Sequence, residues 1–128
     1  MTACPCGQPA PYESCCGGYH AGAEPMTAEQ LMRARYSAFA CKNAAFLIRT
    51  AHPLARSRLS VRDFASSFAL TWIRLEVVTT SAGLAEDREG MVHFRAHYRD
   101  AAGVERVLEE RSRFSRAGGC WVYRDARG

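Results

Sequence analysis

Met91-Val92-His93-Phe94-Arg95-Ala96-His97-Tyr98-Arg99, then Asp100-Ala101-Ala102-Gly103, then Val104-Glu105-Arg106-Val107-Leu108-Glu109-Glu110-Arg111-Ser112-Arg113-Phe114, is the stretch on which the fold turns. Its first segment alternates. Val92, Phe94, Ala96 and Tyr98 fall on one face, and His93, Arg95, His97 and Arg99 on the other. A period of two marks a strand with one face in a core. Asp100-Ala101-Ala102-Gly103 reads as a hairpin turn. In the returning strand Val104, Arg106, Leu108, Glu110, Ser112 and Phe114 share one face, opposite Glu105, Val107, Glu109, Arg111 and Arg113.

Outward from this hairpin the same period continues. Residues 72–80 predict a strand with Ile73, Leu75 and Val77 on one face, joined to the next by a long loop over 81–90. Arg116-Ala117-Gly118-Gly119 predicts another turn, and 120–124 the last strand. Further upstream the period lengthens. Thr27-Ala28-Glu29-Gln30 is a capping box, and Leu31, Ala34, Ala38 and Cys41 form one apolar stripe beside Met32, Tyr36 and Phe39. A helix over 28–41 follows. Asn43 predicts the cap of a second helix over 44–51, which must stop before Pro53. Ser60 caps a third, with Val61, Phe64, Ala65 and Phe68 at helical spacing. Three helices followed by a four-strand antiparallel meander make an α+β domain with helices on one face of the sheet.

The N-terminus reads differently. Cys4-Pro5-Cys6 and Cys15-Cys16 place four of the six cysteines in two close pairs. The eight residues between them carry two prolines and a glycine, which predicts a loop and no helix. A turn at Pro5-Cys6-Gly7 can aim the first two sulfurs inward, and Gly17-Gly18 allows the bend that adjacent ligands need. Four thiolates around one Zn²⁺ would hold such a loop. A disulfide pair or loose thiols is the alternative, and it needs an oxidising compartment. Met1-Thr2-Ala3 shows neither a basic nor an apolar leader, and no run of 18 apolar residues predicts a membrane span. A reducing cytoplasm is the expected location.

At 128 residues and 48% apolar content the chain predicts one core-forming unit behind the cysteine loop. Residues 1–24 form the metal-binding part and 25–128 the α+β body. The net charge of +4 conceals a split, with −2 over residues 1–25 and +6 over the rest. Four thiolates around a divalent ion would make the first part more negative, so that part repels phosphate. Lys42 is the only lysine, and the arginine excess reads as a mixed solvated surface.

Cys-x-Cys-x8-Cys-Cys with Gly7, Tyr12 and Gly17 resembles the SEC-C motif, the zinc-binding tail of the bacterial export ATPase. The resemblance implies metal ligands at Cys4, Cys6, Cys15 and Cys16. The motif's basic centre is replaced here by Gln8-Pro9-Ala10-Pro11, so its basic contact surface does not carry over. The helix–meander order resembles the nuclear-transport-factor-2-like fold, a curved sheet wrapped round helices into a cone. Taken with the motif, 31–39, His52-Pro53, 72–77, 109–114 and Trp121-Val122-Tyr123 are similar to the YchJ-type family nearly end to end. That resemblance implies fold and metal, and no activity.

No residue is assigned a catalytic role. No Ser/His/Asp order, phosphate-cradling glycine loop or catalytically spaced carboxylate pair is present. Glu110 and Ser112 would be polar groups inside the cone, and a buried Glu110 would be a general-base candidate. The plainer reading pairs Glu110 with Arg35 or another arginine, holding the sheet to a helix. His20 is a candidate outer partner of the metal site, His52 a cap for a carbonyl, His93 and His97 solvated surface, and Cys41 and Cys120 small core residues. Three functions compete. The first is a binding or adaptor protein with one structural zinc and another protein as partner, expected to expose an apolar patch near Tyr12 and Tyr19. The second is a small-molecule enzyme using the cone pocket around Glu110. The third is RNA or ribosome association through an arginine patch flanked by exposed aromatics.

Overall fold

Thr27 opens the main helix by accepting the Gln30 backbone N–H on its hydroxyl at 3.1 Å, while Gln30 Oε1 reaches back to the Met26 N–H at 2.7 Å. The structure, a computed structural model, describes residues 3–127. Met1, Thr2 and Gly128, which belong to the two predicted parts, lie outside the described residues. The helices are α1 (Cys16–His20), α2 (Ala28–Ala40), α3 (Ala44–Arg49), α4 (Pro53–Arg56) and α5 (Ala65–Phe68). One-turn 3-10 segments cover Tyr12–Ser14 and Val61–Phe64.

α2 and α3 match the sequence pattern closely. Asn43 accepts from the Phe46 N–H, as its place before α3 predicts. The chain leaves α2 through Lys42 in the left-handed region (φ 59°), where the Asn43 N–H reaches the Ala38 carbonyl. Differences cluster in the shorter pieces. The inter-cysteine loop contains the 3-10 turn at Tyr12–Ser14, directly after Pro11, whose fixed φ suits a first helical turn. Residues 16–20, read as doublet and linker, form α1. His52 does not cap a carbonyl with its ring. It stands before Pro53 and accepts the Leu54 N–H on Nδ1, starting α4. Asp63 accepts the Ser60 N–H at 2.7 Å, but the third predicted helix splits into a 3-10 turn and α5, and Val61 is left exposed.

The sheet has the order β1-β2-β3-β4, all antiparallel: β1 (Thr71–Ala82), β2 (Glu89–Arg99), β3 (Glu105–Ala117) and β4 (Cys120–Arg127). The inner face of β2 and β3 is the predicted one, pairing Val92 with Ser112, Phe94 with Glu110 and Ala96 with Leu108. β1 departs from strict alternation. A bulge between Trp72 and Arg74 turns Ile73 outward and leaves it exposed, so Trp72, Leu75 and Val77 make the inward set. A second bulge between Val77 and Thr79 adds curvature.

One core runs from the sheet through α2 to the cysteine loop. Phe94, Phe114 and Trp121 join Leu31, Tyr36, Phe46 and Leu47, and the same cluster includes Cys4, Cys6 and Cys16. α2 is therefore buried on two sides, which also takes Arg35 and Ser37 out of water. Cys41, just past the end of α2, is exposed, and Cys120, at the β3–β4 turn, is half-buried, so neither is the core residue expected.

Candidate metal centre

Each half of the cysteine loop is shaped by its own local structure. The Cys4 N–H donates to the Ala10 carbonyl and the Gly7 N–H to the Cys4 carbonyl, closing the turn predicted at 5–7. The bend at the doublet sits in Cys15 itself (φ −127°, ψ −113°), while Gly17 and Gly18 are helical. Gly17 serves a different need from the one expected. A Cβ there would stand 2.6 Å from the Tyr12 carbonyl oxygen, so only glycine lets α1 lie against the 3-10 turn.

The four sulfurs of Cys4, Cys6, Cys15 and Cys16 lie within 4.8 Å of one another, and Cys6 and Cys15 are 3.6 Å apart. A tetrahedron with metal–sulfur bonds of about 2.3 Å has sulfurs about 3.8 Å apart. A disulfide needs about 2.05 Å, and all six cysteines are free thiols. The donor set therefore fits one metal ion and does not match a disulfide pair. The electrostatics agree. The hydrogen bond from Cys16 pulls the Cys6 thiol down to about 5 against the effect of burial. The bond to Cys6 and burial push Cys16 up. Burial, followed by the bond to Cys6, pushes Cys15 up to about 11. Protons thus gather on the neighbours of one thiolate, and a cation held by the four sulfurs would replace them.

The surroundings tie the cluster to the body. Arg33 Nη1 donates to the Cys6 carbonyl at 2.8 Å, and Ser37 Oγ stands 4.0 Å from Cys4 Sγ. His20 is not an outer partner of the sulfurs. Its Nε2–H donates to the Ala34 carbonyl (2.9 Å), which leaves Nδ1 to accept from the Tyr12 hydroxyl (2.6 Å). Its ring also packs on Phe46 at 4.6 Å. Tyr12 and Tyr19 are half-buried against the core, so the apolar patch expected there is not formed. Arg33 and Ser37 were not singled out in the sequence. A helix position three or four residues from a buried stripe is their only signal.

The cone holds a cavity of about 340 Å³ between α2 and the inner sheet face. Glu110 lines it, half-buried, and burial raises its carboxyl above the ordinary range. Among the described residues Glu110 makes no ion pair with Arg35 or with another arginine. Arg35 Nη1 donates instead to the Leu47 carbonyl (2.9 Å) and to Thr50 Oγ1 (2.7 Å). These sit in the last turn of α3 and just beyond it, where free carbonyls and the helix dipole attract a cation. On the outer sheet face His93 Nε2 meets Glu109 at 2.6 Å, and Arg95 lies between Glu76 and Glu109. His97 is buried, not solvated, because it sits on an inner strand under long neighbours, and its Nε2 stands 3.5 Å from Glu76 without a good hydrogen bond.

The model of the YchJ middle NTF2-like domain matches residues 27–126. A UPF0225 protein of Streptomyces avermitilis is 48% identical over 97% of this chain and 83% of its own length. Another from Xanthomonas oryzae is 46% identical over 97% and 93%. The solution structure of a SEC-C motif containing protein from Rhodopseudomonas palustris superposes with a TM-score of 0.88 at 29% identity, covering 98% of this chain and 97% of that one. A crystal structure of a SEC-C motif containing protein from Psychrobacter arcticus gives 0.84 at 28% identity, covering 98% and 81%.

Proposed function

The chain belongs to the YchJ-like UPF0225 family, and from that premise we propose that it is a zinc-stapled binding protein of the reducing cytoplasm, with another protein as its partner. The carrying observation is the convergence of the four sulfurs of Cys4, Cys6, Cys15 and Cys16. An all-thiolate set favours zinc or iron, and a closed tetrahedron of protein ligands leaves no position for water or substrate. The ion is therefore structural. It joins the loop to α2, whose Arg33 and Ser37 already meet the cluster.

What supports a protein partner is the sheet edge. β4 meets β3 only from Arg111 onward, so among the described residues 105–110 have no strand on that side. Exposed Val104, Val107 and Leu108 flank this edge, which can take an extended segment. RNA association rests on arginine content alone. Arg95, Arg106 and Arg113 are ion-paired, and no aromatic residue is among the exposed large apolar side chains of the described residues. A catalytic Glu110 rests on the cavity and on the burial that raises its carboxyl, with no second catalytic group beside it among the described residues.

Metal analysis of protein purified under reducing conditions should return about one equivalent of zinc per chain, and Cys15→Ser should lose most of it. Metal-free protein, full occupancy in the variant, or iron in place of zinc would each refute the zinc assignment.

A further inference from the structure

Arg35 is a buried cation whose needs the protein meets only in part. Both of its hydrogen bonds to protein leave from Nη1. Among the described residues Nε and Nη2 have no hydrogen-bonding partner, and no carboxylate lies within ion-pair distance. Arg35 is only 9% exposed and lines the cone cavity, and its unpartnered Nε and Nη2 are not sealed from solvent, which leaves them accessible to a ligand. The Tyr123 ring lies 4.5 Å beneath the guanidinium and fixes its plane. Burial lowers its pKa to about 10, so it stays charged at neutral pH.

Nε–H and Nη2–H are the two donors on one edge of a guanidinium, and that edge fits both oxygens of one carboxylate. Much of the remaining wall is aromatic, with Phe39, Phe64, Trp72, Phe94 and Phe114 in it. Phe39 is 5.9 Å from Trp72 and 6.1 Å from Phe64, centre to centre, so the wall offers faces and edges to a flat guest. At about 340 Å³ the space lies at the small end of ligand pockets.

We propose that the cone cavity binds a small aromatic monocarboxylate, whose carboxylate docks on the Nε–Nη2 edge of Arg35 and whose ring packs in the aromatic wall. Other charged groups fit this choice. Glu110 also lines the cavity, and its burial favours the neutral acid. Among the described residues Arg35 is the one cation of the lining, so a second negative charge on the ligand would be buried without a counter-charge, which disfavours phosphate esters and dicarboxylates. Asp63 at the rim is held by the Ser60 N–H and hydroxyl. Tyr36 and Tyr123 complete the titratable lining, and burial keeps both phenols protonated. The site is independent of the metal centre and of the partner reading.

The test uses matched probes on the unmodified full chain: 3-phenylpropionate, its amide, and phenyl phosphate. At millimolar concentration the acid should move the Arg35 Nε–H resonance and the amides of Phe94, Leu108 and Ser112. The amide should bind at least about tenfold more weakly, as loss of a bidentate charged contact demands. Arg35→Gln should remove the preference for the acid. Should that variant not fold, Ala96→Leu, which fills the cavity from β2 and leaves the Arg35 contacts in place, should abolish the shifts. No shift with the acid, equal affinity for acid and amide, or tighter binding of phenyl phosphate would each overturn the proposal.

Discussion

His20 shows how one side chain can join two parts of a chain. The Ala34 carbonyl accepts from Nε2, so the tautomer is set, and the Tyr12 hydroxyl donates to Nδ1. A second ring proton would break the Tyr12 bond and put a charge in a buried site beside Phe46. Burial accordingly lowers the pKa of His20 below 6.5, with the Arg49 charge adding to it and the Ala34 bond opposing it. When a folded-state histidine pKa is depressed, the unfolded chain binds more protons between the two values. The His20 contribution to stability is thus complete above about pH 6.5 and is lost as pH falls through the folded value. In an NMR titration the His20 ring should change state below 6.5. A midpoint at or above that value would show that the ring is not locked as described.

At the scale of elements, α2 is seated by a glycine pair at the end of the β1–β2 hairpin. The Ala28 N–H donates to the Gly83 carbonyl at 2.9 Å. A Cβ on Gly90 would stand 2.4 Å from the Gly83 Cα and 3.1 Å from the Ala28 Cβ. The first obstacle is backbone, which cannot rotate away. Gly90→Ala should therefore destabilise by about 3 kcal/mol, the upper part of the overpacking range. Gly18→Ala is the control, since a Cβ in that helical position meets nothing within 4 Å. It should be neutral or stabilising by about 0.5–1 kcal/mol. Denaturant midpoints of the two variants decide the matter, and equal effects would rule out the close approach.

For the whole molecule the consequence of metal loss follows from the shared core. The sequence places one core-forming unit behind the cysteine loop. Yet Cys4, Cys6 and Cys16 are buried with Leu31, Phe46 and Leu47. Arg33, Ala34 and Ser37 of α2 contact the loop, and Arg49, at the end of α3, donates to the Tyr19 carbonyl. Removing the ion should therefore expose α2 and α3 along with residues 3–20, leaving the β2–β3 ladder the best protected. Amide hydrogen exchange before and after strong chelation measures this. Changes confined to residues 3–20 would show that the loop is energetically separate.

Local pattern by itself determined α2, α3, the four strands, their meander order and the four clustered cysteines. Each of these rests on neighbours in sequence: a cap, a period, a turn, a pair of thiols. The inward face of β2 and β3 is legible for the same reason, because a period of two cannot slip without exposing Phe94 and Phe114. Only the tertiary structure decided the rest. A bulge moved Ile73 outward, since one extra residue in a strand leaves no clear mark in the pattern. Arg35 turned to the end of α3 instead of Glu110 because the free carbonyls there lay within its reach. The loop became part of the core because α2 packs on both sides, and a helix's second neighbour is a property of how the chain folds back, not of the helix's own residues.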